Sequence, residues 1–103
     1  MTQVAFSEHF HTVRISGHSG YAEEGSDIVC AAISSMVNYF CNAAEAFGAQ
    51  ADILTDEREG LVIWKLLSPN PDACRLASVL YGELKELETR YPQYVRVIKS
   101  ERE

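Results

Sequence analysis

The chain has 103 residues, 47% of them hydrophobic and 23% charged, with a formal net charge of −6. That is enough for one hydrophobic core, so residues 1–103 are read as a single domain. The acidic balance argues against non-specific nucleic-acid or anionic-membrane binding, since both need an excess of Lys and Arg, and it is compatible with a basic partner. No apolar run approaches the roughly 20 residues that span a bilayer. Residues 1–8 also lack the basic-then-apolar plan of a signal peptide, so a cytoplasmic location is expected. Three cysteines with no CxxC pair fit a reducing compartment. They suggest neither a disulfide framework nor a zinc site.

Taken in chain order, Val4 and Phe6 alternate with polar neighbours, as do Val13 and Ile15, which is the period of two strands. His9 and His11 fall near the turn between them. They could point to one side as a metal pair, but a polar hairpin explains them more simply. Gly17, Gly20 and Gly25 then make an irregular, adaptable loop around His18. Ser26 or Asp27 is expected to cap a helix over residues 28–47, where Val29, Ile33, Met36, Phe40, Ala44 and Phe47 recur at spacings of three and four. Gly48 suits its C-terminal cap.

Residues 51–54 and 61–67 read as strands joined by a charged hairpin loop, Thr55 to Gly60. The run Leu61-Val62-Ile63-Trp64 predicts a central strand covered on both faces. Asn70 followed by Pro71 starts a second helix, with Ala73, Leu76, Ala77, Leu80, Leu84, Leu87 and Tyr91 on its apolar stripe and Pro92 as its stop. Residues 94–98 read as a last strand, and 99–103 as a frayed tail. The expected fold is α+β: a small, mainly antiparallel sheet with two helices, in the order ββαββα plus a final β. So thin an assembly leaves apolar surface poorly covered, and a homodimer would bury it.

The chemistry concentrates around Cys30. On the expected boundaries it lies in the first turn of its helix, where unpaired amides and the helix dipole stabilise a thiolate. By position alone a small core cysteine accounts for it slightly better. His18, in the loop leading to that helix, could take up the thiol proton and later return it, and the two together form a plausible dyad. Asp27 could orient His18, although a capping role is the simpler account. Ser34, one turn beyond Cys30, could line the cleft or bond back to its own helix. Cys41 shares a face with Cys30, but a rise of about 1.5 Å per residue puts them roughly 16 Å apart, too far for one metal or a bridge. Cys41 and Cys74 are therefore read as core residues. The glycine-rich loop also invites a phosphate-binding reading, which is weak without a P-loop lysine and with Glu23, Glu24 and Asp27 at its mouth.

The segments Gly17-His18-Ser19-Gly20-Tyr21 and Gly25-Ser26-Asp27-Ile28-Val29-Cys30-Ala31-Ala32-Ile33-Ser34 closely resemble the signature of the ribosomal-processing cysteine proteases, the Prp family. The ending Tyr91-Pro92-Gln93-Tyr94-Val95-Arg96-Val97 is similar to that family's usual finish. Ser19 stands where the family usually has Ala. The resemblance implies a cysteine protease domain that removes the N-terminal extension of a large-subunit ribosomal protein. It implies His18 as catalytic base, Cys30 as nucleophile, and Gly17, Gly20, Gly25, Asp27 and Ser34 at further motif positions. It also implies a homodimer without metal or cofactor. The competing function is a non-catalytic ribosome-assembly module of the same fold, and intact His18 and Cys30 favour the enzyme. The glycines further suggest a loop that closes on the substrate.

Overall fold

A computed structural model describes residues 1–17 and 24–100. His18, Ser19 and Gly20 lie outside the described residues, and so does the proposed loop closure. The elements run β1 (Thr2–Phe6), β2 (Thr12–Ser16), α1 (Glu24–Ala46), β3 (Ala51–Asp56), β4 (Leu61–Leu66), α2 (Pro71–Arg90) and β5 (Val95–Lys99). The strands form one sheet in the order β3-β4-β2-β1-β5. Every neighbouring pair is antiparallel except β1 with β5. The architecture is the expected α+β sheet with two helices, including the final strand.

Strand alternation decides which side chains meet the helices. Thr2, Val4 and Phe6 of β1, Val13 and Ile15 of β2, Trp64 and Leu66 of β4, and Val95 and Val97 of β5 are all buried. Register joins them across the sheet: Phe6 opposes Val13, Val13 opposes Trp64, and Val4 opposes both Ile15 and Val97. Val29, Ile33, Val37, Phe40 and Ala44 of α1 and Ala73, Ala77, Leu80 and Leu84 of α2 close the core from the same side. Phe40 meets Trp64 edge-on at 4.8 Å between ring centroids. Each large side chain so buried contributes on the order of 1.5–3 kcal/mol.

Two expectations need correction. β4 is interior to the sheet but is not covered on both faces. Trp64 and Leu66 are buried, while Ile63 is half-buried and Lys65 exposed on the opposite side. Both helices lie on one face, and Gln3, Arg14, Lys65 and Arg96 keep the other face in water. α1 also begins at Glu24, earlier than residue 28. Gly25, Ser26 and Asp27 therefore belong to the helix, and neither Ser26 nor Asp27 is its cap. The strong apolar period that marks a helix in sequence begins only where α1 reaches the core, at Val29.

The other boundaries follow from local chemistry. α1 ends in a Schellman turn, with the Gly48 amide donating to the Glu45 carbonyl, the Ala49 amide donating to the Ala44 carbonyl, and Gly48 at φ 84°. α2 starts at an Asn70 cap, whose side-chain oxygen accepts from the Ala73 amide at 2.9 Å, with Pro71 next. In the β3–β4 hairpin the Asp56 carboxylate accepts from the Arg58 amide at 3.0 Å, and Gly60 takes φ 59°.

Candidate active site

Cys30 is the seventh residue of α1, counting from Glu24. The helix amides without an intrahelical partner belong to the residues before it. The first-turn argument for a stabilised thiolate therefore does not apply. What α1 does instead is carry Cys30 to one end of the sheet. Val29, fully buried, anchors the helix there, and Cys30 beside it is half-exposed.

The partner the structure supplies is Thr2. Its hydroxyl lies 3.8 Å from the Cys30 sulfur, within hydrogen-bond range for sulfur, and either atom could donate. Thr2 is buried, and its amide donates to the Tyr94 carbonyl at 2.9 Å, so the strand backbone holds the hydroxyl against the thiol. Sequence reasoning missed Thr2, which lies 28 positions from Cys30. The available signal was the alternation Thr2-Val4-Phe6, which places Thr2 on the helix-facing side of β1.

Cys30 opens onto a cavity of about 430 Å³ whose lining includes Thr2, Gly17, Ser34, Thr55, Asp56 and Gly60. Gly17 is required in its place. Its φ is 120°, and a Cβ there would collide with the Met1 carbonyl oxygen and approach the Thr2 Cα to 3.1 Å. The chain thus passes tightly over the start of β1 at Gly17, which is part of the cavity wall. Ser34, expected to line the cleft, does line this cavity. Gly20 and His18 lie outside the described residues.

The other candidates fall elsewhere. His9 and His11 sit at the opposite end of β1 and β2, in the hairpin turn, with ring centroids 6.3 Å apart. Cys41 and Cys74 are half-buried and pack against the core. Burial pushes the Cys41 thiol above its ordinary value, which disfavours its thiolate.

A half-exposed thiol, held by a hydroxyl at the mouth of a cavity, suits attack on a carbonyl that enters from solvent. Comparison with known proteins agrees with this chemistry. The family model for cysteine protease Prp matches residues 1–96. The ribosomal processing cysteine protease Prp of Mycoplasma genitalium is 31% identical over 95 residues, covering 92% of each chain. That of Mycoplasma pneumoniae is 29% identical over 92 residues, covering 82% of this chain and 83% of the relative. In fold, the chain is similar to the ribosomal processing protease Prp from S. aureus solved with a substrate peptide, at a TM-score of 0.88 and 23% identity over 97% of this chain and 100% of that one. In class, then, this is a cysteine-type peptidase. The chain belongs to the cysteine protease Prp family.

Proposed function

We propose that this chain is a single-domain endopeptidase that removes the N-terminal extension of a large-subunit ribosomal protein in the cytoplasm, with Cys30 as nucleophile and His18 as general base. The observation that carries the reading is the cavity at Cys30. Gly17 is part of its wall, and His18 is the next residue in the sequence. The ribosomal part rests on the names of the Mycoplasma relatives.

His18 takes the Cys30 proton, and the sulfur attacks the scissile carbonyl to form a tetrahedral adduct. The adduct collapses as the imidazolium protonates the leaving amine, which departs with the C-terminal fragment. Water, deprotonated by His18, then hydrolyses the thioester and restores the thiol. Thr2 can donate its hydroxyl hydrogen to the sulfur while it is anionic. Asp27 and Ser34 are assigned supporting positions, Gly20 is assigned to backbone freedom in the loop before α1, and Gly25 to a motif position within α1. A homodimer remains the expected assembly. No helix among the described residues is long and apolar enough to cross a membrane.

The test uses the purified chain and the full-length ribosomal protein of the same organism, followed by intact-mass spectrometry. Loss of one N-terminal fragment, abolished by Cys30→Ala and by His18→Ala, is expected. A ribosomal protein that is bound but never shortened would overturn the enzymatic reading in favour of an assembly module.

A further inference from the structure

From Ile28 to Ala44, α1 contains no Asp, Glu, Lys or Arg, although Ser34, Ser35, Asn38, Tyr39 and Asn42 in that stretch are exposed. A helix that faces only solvent normally carries charge on its outer side. Ser34, Asn38 and Asn42 recur every fourth residue and so form one ridge along the helix. That ridge borders a second cavity of about 380 Å³, with Val62 among its floor residues and Ile53 and Thr55 of β3 on its far side. Ile53 opposes Trp64 in register, so its side chain is on the helix-facing side of the sheet, yet it is 54% exposed because α1 does not reach over β3.

The two cavities adjoin. Ile15, Ile33, Ser34, Thr55 and Val62 line both. From Cys30 to Asn42 the groove follows α1 for roughly 18 Å at about 1.5 Å per residue, the length of about five extended residues at 3.4 Å each. We propose that the substrate chain runs in extended form from Cys30 along this groove, and that Asn38 and Ile53 select an uncharged, partly apolar stretch on one side of the scissile bond. This deepens the proposed function and rests on Cys30 being the nucleophile. The occupant follows from adjacency to the Cys30 cavity and from the wall chemistry. Asn side chains both donate and accept, as a peptide backbone requires. Ile53, Val37 and Val62 offer apolar contact. An acidic residue placed there would lose water and find no countercharge, since α1 contains no Lys or Arg.

The probe is a set of internally quenched, uncharged peptides, with Asp then placed at each position of the one cut best. For the native chain, Asp at one or more groove positions should lower kcat/KM by about tenfold or more. Asn38→Lys, at an exposed site, should recover the affected Asp peptide by about tenfold relative to the neutral one, and Ile53→Lys should do the same from the opposite wall. Both variants should leave the iodoacetamide alkylation rate of Cys30 unchanged. Peptide binding to the Cys30→Ala protein, read by fluorescence anisotropy, separates the role of the groove from that of the nucleophile. Charge-selective binding without cleavage in the native chain keeps the groove and overturns the nucleophile. Cleavage whose Asp profile is the same in the native chain and both Lys variants keeps the nucleophile and overturns the groove. A chain that neither binds nor cuts any of the peptides overturns both.

Discussion

The two helices cover the same face of the same sheet, yet their outer surfaces differ in kind. α2 carries Asp72, Arg75, Glu83, Lys85, Glu86, Glu88 and Arg90. Several pair along the helix: Arg75 with Asp72 at 3.7 Å, Lys85 with Glu88 at 3.3 Å and Arg90 with Glu86 at 3.4 Å. Such exposed pairs add little, about 0–1 kcal/mol each, but they keep a helix soluble. α1 has no charge over its central stretch and borders the groove that begins at Cys30. Burial of one face is common to both helices and reports only on the core. The outer face is what separates a helix that holds the fold from one that meets a ligand.

The strongest way to break this contrast is to make the same small change on each helix. Cys30→Ala is expected to lower peptide cleavage by at least about 10³-fold with the thermal midpoint nearly unchanged. Cys74→Ala on α2 should leave kcat/KM intact and cost about 1 kcal/mol of stability. Turnover and chemical denaturation of the purified variants measure both. If Cys74→Ala were the more damaging to turnover, the division of roles between the helices would be wrong.

A second test removes packing from α2 alone. Leu84 is fully buried, and Leu84→Ala should cost about 2–5 kcal/mol in urea unfolding. The remaining folded protein should cleave at the native rate per active site, counted by Cys30 titration.

α2 also protects one edge of the sheet. The Glu88 carboxylate accepts from the Val97 amide at 2.6 Å, covering the outermost strand β5. That hydrogen bond holds its pKa below the ordinary 4.5, more than partial burial raises it, with Lys85 adding to the lowering. A depressed folded-state pKa means that this stabilisation is full above the ordinary value and is lost as pH falls through the folded one. Glu88→Leu should cost about 1–3 kcal/mol at neutral pH. Glu88→Gln keeps an acceptor for Val97 and should flatten the acid limb of stability below pH 4.5, measured as unfolding free energy against pH. At the other edge β3 has no such cover among the described residues, and its residues from Asp52 to Asp56 are exposed beside the groove.

The smallest expected effect is at Thr2. Thr2→Val should slow alkylation of Cys30 by up to about tenfold, the worth of one hydrogen bond, and Thr2→Ser should restore it. Peptide mapping after iodoacetamide gives the rate, with Cys41 as internal reference because burial raises its thiol pKa. Equal rates in the Val and Ser variants would show that the contact is packing alone.

Much of the fold was legible in the sequence because its signals are local. The period of two in β1 and β2, the Asn70-Pro71 start of α2 and the Gly48 end of α1 each need only near neighbours. The family was likewise legible, and with it the candidates Cys30 and His18, since a motif is a string of adjacent residues. The start of α1 was not, because the stretch of helix before Val29 lacks the apolar repeat that core packing imposes. Nor was the one-sided cover of β4, because an apolar run does not say on which face the helices will land. Only the tertiary structure brought Thr2 to Cys30, closed Gly17 over the start of β1, and set Ile53 of β3 opposite Asn38 of α1. Those pairs depend on strand register and on where a helix crosses a sheet, and both are decided by the packing of the whole chain.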